Sequence, residues 1–144
     1  MSLISDIPLG MSLPHRSTSP LRIQDAMTIA VRSEALGFSD LWVTDNTVDS
    51  VYSLDPLVLL AHVGAVVKRI RLGIAVIVLP VRHPIQLAHQ IASLDYLTDG
   101  RLTVGLGLGL RSHLRDFQVP EERRVGRFME SLAVMKELWS QPST

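Results

Sequence analysis

The sequence predicts an α/β protein built from four consecutive parallel βα units. Short apolar runs alternate four times with amphipathic segments. The runs starting at Asp40 and Ile70 are apolar almost throughout rather than at every second residue, as in strands covered on both faces. A third observation is the triplet Gly105, Gly107 and Gly109 within GRLTVGLGLGLRSH, which interrupts the last run. Residues two apart in a strand share a face, so the triplet leaves a bare stripe of backbone. Such a stripe suits either close approach of a neighbouring element or a flat ligand.

The first strand falls within Pro8 to Leu13, before the polar Pro-His-Arg-Ser-Thr-Ser-Pro loop. A helix from about Gln24 to Leu36 follows, and Gly37 stops it. The second strand, Asp40 to Asp45, carries Leu41, Trp42 and Val43. Asp55-Pro56 opens the second helix, since aspartate caps and proline takes the first helical position, where its missing N–H is not needed. Leu57, Leu60, Ala61, Gly64 and Val67 recur at helical spacing and are expected to face the sheet. The third strand, Ile70 to Leu79, is rich in β-branched residues. Pro84 starts the third helix, with Leu87, Ile91 and Leu94 on one stripe, and Thr98-Asp99-Gly100 turns into the glycine strand. The last helix, about Glu121 to Trp139, is expected to turn Val125, Phe128, Leu132, Met135 and Trp139 inward.

Such units suit either an open doubly wound sheet or a segment of a (β/α)8 barrel. Residues 1–144 are read as a single domain. Lysine plus arginine equals aspartate plus glutamate at 14 each, so no field is built to attract nucleic acid or anionic membranes. A small molecule or another protein is the expected partner. The absence of cysteine excludes disulfides, thiolate metal sites and a cysteine nucleophile. No residues have metal-ligand spacing, and no Gly-x-Ser-x-Gly motif occurs. The longest apolar stretch, Ile74 to Val81, is too short to span a bilayer. MSLISDIPLG lacks a basic segment followed by an apolar run of signal-peptide length, so a cytoplasmic location is expected.

In both architectures ligands bind at the C-terminal ends of the strands. That position selects Pro14-His15, Thr44-Asp45-Asn46, Pro80-Val81-Arg82-His83 and Gly107 to Arg111. Asp45 has the chemistry of a base or a holder of a ligand hydroxyl, and equally of a turn cap. His83 can donate to an anionic ring or a phosphate, although Arg82-His83-Pro84 also reads as a solvated helix start. His62 and His89 fall within helices and are read as ordinary surface or packed residues. The glycine spacing fails the dinucleotide fingerprint Gly-x-Gly-x-x-Gly.

Taken in order, several segments resemble the luciferase-like monooxygenase family, which includes bacterial luciferases, flavin-dependent monooxygenases and deazaflavin-dependent oxidoreductases. They are GFSDLWVTDN at Gly37 to Asn46, DPLVLLAHVGAVVKRIRLGIAVIVLPVRHP at Asp55 to Pro84, LDYLTDGRLTVGLGLG at Leu94 to Gly109, and FQVPEERRVGRFMESLAVMKELW at Phe117 to Trp139. The resemblance implies a (β/α)8 TIM-type barrel, of which four units are half. It also implies FMN or the deazaflavin coenzyme F420 at the C-terminal mouth, in an oligomeric protein. The ring would lie near Ala75-Val76, where such enzymes often have a non-prolyl cis peptide. On this basis Asp45 and Asn46 line the pocket, Arg82 and His83 contact polar cofactor groups, and Gly107 and Gly109 give clearance beside the ring.

Asn46 stands where family members often have histidine, and Leu110-Arg111 where the deazaflavin branch often has glutamate. Catalytic residues are therefore unassigned, with Asp45, Asn46 and His83 as candidates. The implied activity is hydride transfer between a reduced flavin or deazaflavin and an organic substrate or oxygen. The alternative is a catalytically inactive half-barrel that serves as an assembly or regulatory module. Four parallel strands leave two open edges, so the chain is expected either to pair as a homodimer or higher homo-oligomer, or to be a piece of a longer protein.

Overall fold

A computed structural model describes residues 7–46 and 50–141. Residues 1–6 of the segment read above for a leader lie outside the described residues. In chain order the elements are β1 (Gly10–Ser12), β2 (Arg16–Ser17), α1 (Ile23–Ala35), β3 (Asp40–Val43), β4 (Tyr52–Ser53), α2 (Pro56–Gly64), β5 (Arg71–Val78), α3 (Pro84–Leu97), β6 (Leu102–Gly107), α4 (Arg111–Asp116) and α5 (Arg124–Ser140). β1, β3, β5 and β6 form one parallel sheet in that order. This is the four-unit α/β architecture expected. β2 and β4 form a separate antiparallel ribbon, which the sequence reading treated as loop. Two-residue strands and the six-residue α4 are too short to show a period.

The local signals act as expected. Asp55 caps α2, its carboxylate accepting the N–H groups of Leu57 at 2.9 Å and Val58 at 3.2 Å. Gly37 ends α1 with φ of +83°; the N–H of Phe38 reaches the carbonyl of Ser33, and that of Gly37 the carbonyl of Glu34. Asp99 and Gly100 both take positive φ in the turn before β6.

The core lies between the sheet and the helices and includes the fully buried Leu41, Leu60, Leu72, Ile74, Ile77, Leu79, Leu87 and Met135. Two inward assignments need correction. Ala61 is exposed, while Leu59 and Val63 join Leu57, Leu60 and Gly64 in the buried stripe of α2, with Val67 buried just beyond it. Val125 is 56 % exposed: it lies in the first turn of α5, which packs mainly on α3 and on the short 3-10 turn Leu79–Val81. Trp139 keeps 44 % of its surface while its indole N–H donates to the carbonyl of Ala88. Among the described residues no helix is long and apolar enough to cross a membrane.

Candidate functional site at the C-terminal ends of the strands

Strand register sorts the side chains onto two faces. Met11, Leu41, Leu72 and Leu102 form one row across the sheet, and Ser12, Trp42, Gly73 and Thr103 form the next, on the opposite face. The first row faces the helices. On the second face the Trp42 ring lies over both flanking strands: a Cβ on Gly73 would come within 2.3 Å of it, and one on Gly10 within 2.8 Å.

Nearer the C-terminal ends, β5 carries one residue more than β6 between Ile74 and Ile77. This irregularity contains Ala75 and Val76, both exposed, and the peptide bond between them is cis. The Val76 side chain covers the glycine stripe. A Cβ on Gly105 would lie 2.9 Å from one Val76 methyl, and a Cβ on Gly107 2.4 Å from the other. Gly109, at φ of +75°, faces a Val78 methyl in the same way at 2.3 Å. At Gly107 and Gly109 the missing side chains thus make room for β-branched side chains of the neighbouring strand. Val76, 40 % exposed, becomes the outer surface of that wall.

Asp45 and Arg82 meet, but inside the fold. Asp45 follows the helix-facing parity of Leu41 and Val43 and is 4 % exposed. Its carboxylate accepts the Val78 N–H at 3.2 Å and Arg82 Nη2 at 2.9 Å. The Arg82 guanidinium also donates to Asp55 Oδ2 at 3.2 Å from both Nη1 and Nη2, tying the ends of β3 and β5 to the cap of α2. Burial opposes the charge on Arg82, yet the two carboxylates outweigh it and hold its pKa above the ordinary arginine value. The Arg82 guanidinium is thus paired with Asp45 and Asp55 within the fold. His83 is exposed at the start of α3 and makes no side-chain cap.

The residues on either side of Asp45 point the other way, as alternation requires. Thr44 is exposed and Asn46 half-buried. Asn46 Nδ2 donates to Thr44 Oγ1 at 2.5 Å, and Thr44 Oγ1 lies 2.7 Å from His15 Nε2. The Thr44 N–H also reaches His15 Nε2, at 3.1 Å, while His15 Nδ1 lies 2.7 Å from the Leu13 carbonyl. His15 is 7 % exposed. Sequence reasoning placed His15 and Thr44 at strand ends without giving either a role; their shared side of the sheet with Asn46 was the available signal.

The opposite end of the sheet holds polar groups that stabilise the fold. Arg71 grips Asp40 through two N–H···O bonds of 2.7 and 3.0 Å, and Asp40 also accepts from Ser39. The Arg71 bonds hold the Asp40 carboxyl below its usual range against the opposing effect of burial. Arg101 donates to the carbonyls of Ile70, Gly64 and Val67, closing the C-terminal end of α2. Glu34 Oε1 accepts three successive backbone N–H groups, those of Lys68, Arg69 and Ile70, at 2.8, 2.6 and 3.0 Å.

The Val78–Gly107 pairing and the Asp45–Val78 bond put residue 45, β5 and the end of β6 at one level. Near this level the exposed Ala75 and Val76 lie beside the half-buried Gly107, and the half-buried Asn46 follows the end of β3. Among the described residues no group of three or more His, Cys, Asp or Glu side chains is placed to hold a metal.

A four-stranded parallel βα sheet with a C-terminal rim of this kind defines part of a barrel-type α/β protein. Its residues 7–144 match the luciferase-like monooxygenase family, and the chain belongs to that family. It is 48 % identical over 91 residues to an uncharacterized protein of Mycobacterium bovis, covering 62 % of this chain and 32 % of that protein. It is 30 % identical over 144 residues to the F420-dependent glucose-6-phosphate dehydrogenase of Kineococcus radiotolerans, covering 94 % of this chain and 42 % of that enzyme. The fold is similar to the oxygenating constituent of 3,6-diketocamphane monooxygenase from Pseudomonas putida, solved in complex with FMN. There the TM-score is 0.82 at 20 % identity, covering 95 % of this chain and 40 % of that one. The chain therefore spans less than half the length of each of these relatives.

Proposed function

We propose that the C-terminal rim is one wall of a flavin or deazaflavin site in an oxidoreductase. The carrying observation is the exposed Ala75-Val76 segment of β5, with the Val76 side chain lying over Gly105 and Gly107. A bound ring in its reduced form would supply a hydride, two electrons and a proton, to an organic substrate or to oxygen. Ala75 and Val76 would pack on one ring face and keep water from it, Asn46 would hold a polar edge, and the exposed His83 is placed to meet an anionic group. The Asp45–Arg82–Asp55 cluster would keep the rim rigid. FMN in one structural relative and F420 in a sequence relative support this cofactor class. The test is equilibrium dialysis and absorbance with FMN and with F420. Binding at micromolar concentration, weakened by Val76→Asp, is expected; no binding of either at high micromolar concentration would refute the proposal.

A second reading, an assembly module, is favoured by the open edges. Among the described residues β1 and β6 each have a strand neighbour on one side only. Behind β6 lies an apolar cavity of about 590 Å³ lined by Ile91, Leu102, Val104, Leu106 and Trp139, among others. Pairing of two copies, the β6 edge of one against the β1 edge of the other, would close both edges and cover this cavity. Light scattering should give a dimer or larger assembly, and a stable monomer in dilute solution would refute it.

A further inference from the structure

The hydrogen bonds around His15 determine which atom Asn46 offers to a ligand, and with it the ligand's chemistry. The argument starts at the buried end. His15 Nδ1 faces the Leu13 carbonyl at 2.7 Å, and a carbonyl oxygen only accepts, so Nδ1 carries a proton. His15 Nε2 faces the Thr44 backbone N–H at 3.1 Å, which only donates, so Nε2 is an unprotonated acceptor. Two independent backbone groups thus select the neutral Nδ1–H tautomer. Either form with a proton on Nε2 would set two N–H groups against each other in a site where His15 is 7 % exposed.

The polarity then propagates outward. Thr44 Oγ1 lies 2.7 Å from Nε2, nearer than the Thr44 N–H, so its single hydrogen points to the Nε2 lone pair, which the two donors share. With that hydrogen used, Oγ1 can only accept from Asn46, so the atom 2.5 Å away is the amide nitrogen Nδ2. The remaining end of the carboxamide is the acceptor Oδ1. No described side chain or backbone group donates to it, and it is absent from the buried atoms left without a partner.

We infer that Asn46 Oδ1 is a preset hydrogen-bond acceptor at the rim, held by the His15–Thr44 chain, and that it recognises an N–H or O–H donor of the bound molecule. His15 and Thr44 are positioning residues in this arrangement and need not touch the ligand. The inference rests on the proposed cofactor site for its ligand. A flavin ring carries one N–H in both oxidation states, and reduction adds an N–H where the oxidised ring has only a nitrogen lone pair, so the reduced form offers Oδ1 more donors.

The orientation is tested on the protein alone. Two-bond ¹H–¹⁵N correlation spectra should show the Nδ1–H tautomer of His15. The Asn46 side-chain amide should have one slowly exchanging proton, lost in Thr44→Val. An Nε2–H tautomer, or an Asn46 amide indifferent to Thr44→Val, overturns the inference whatever the cofactor does.

The ligand class is tested by anaerobic dialysis against FMN and against dithionite-reduced FMN. Wild type should bind the reduced form about tenfold more tightly, and Asn46→Leu and Thr44→Val should each lose that preference while still binding the oxidised form. Equal binding by wild type, or a preference unchanged in Asn46→Leu, overturns it. Binding of neither FMN form overturns the ligand half of this inference and, where F420 also fails to bind, the proposed function with it, leaving the spectra to judge the orientation.

Discussion

Replacing Gly107 by alanine decides whether the glycine stripe serves a neighbouring side chain or an empty space. The backbone at Gly107 is not in the positive-φ region, so alanine fits its conformation. The added Cβ would lie 2.4 Å from a Val76 methyl, where carbon atoms settle at about 3.5–4.0 Å. Relieving that overlap by moving Val76 costs about 1–3 kcal/mol, as overpacking generally does. Alanine also narrows the unfolded ensemble, returning about 0.4–1 kcal/mol. The difference is a net loss of roughly 0–2.6 kcal/mol, up to several degrees in Tm for a chain of this size. Urea and thermal unfolding of Gly107→Ala, Val76→Ala and the double variant form a cycle in which Val76→Ala should remove most of the penalty. Gly105→Ala is the internal control. Its Cβ would also lie 3.1 Å from the backbone oxygen of Ile74, so Val76→Ala should rescue it only in part. A stabilising Gly107→Ala, or a penalty unchanged when Val76 is shortened, would refute the reasoning and restore the reading of open clearance.

Three further outcomes are expected. Glu34→Ala should lower stability by about 1–3 kcal/mol near neutral pH, because three backbone N–H groups lose a charged acceptor. Burial pushes the Glu34 pKa up, but those N–H bonds and Arg69 outweigh it and leave it below 4.5. Its contribution is therefore complete above that value and lost as pH falls through the depressed folded-state pKa. Urea midpoints of wild type and Glu34→Ala should accordingly converge in acid, and a constant gap would contradict this. Asp45→Ala should cost about 3–5 kcal/mol in chemical denaturation, since it removes a buried carboxylate from beside Arg82; a loss under 1 kcal/mol would show that Asp55 alone suffices. Arg101→Lys should destabilise by about 1–3 kcal/mol, because a single ammonium does not span three carbonyls. Hydrogen exchange should then show fraying at the end of α2, and unchanged protection there would count against the capping role.

Much of the fold was legible because it depends on neighbours in sequence. The Asp55-Pro56 cap, the Gly37 stop and the Asp99-Gly100 turn are each set by a few adjacent residues and appear where expected. The candidate site was legible by position, not by role. Asp45 and Arg82 both stand at strand ends, yet one step of alternation sends Asp45 behind the sheet while Thr44 and Asn46 stay on the other face. His15 acquired a function only when β1 and β3 were set side by side.

The sequence by itself determined the α/β class, the order of the units and the rim where a ligand would sit, because periodicity, caps and turns are short-range effects. Only the tertiary structure decided what each rim residue faces. The stripe at Gly105 and Gly107 is bare in sequence, but in space it lies under Val76, about thirty positions earlier in the chain. Whether a strand's empty face meets a ligand or a neighbour depends on register and on the added residue in β5. Those are set by pairing between distant segments, which no local pattern encodes.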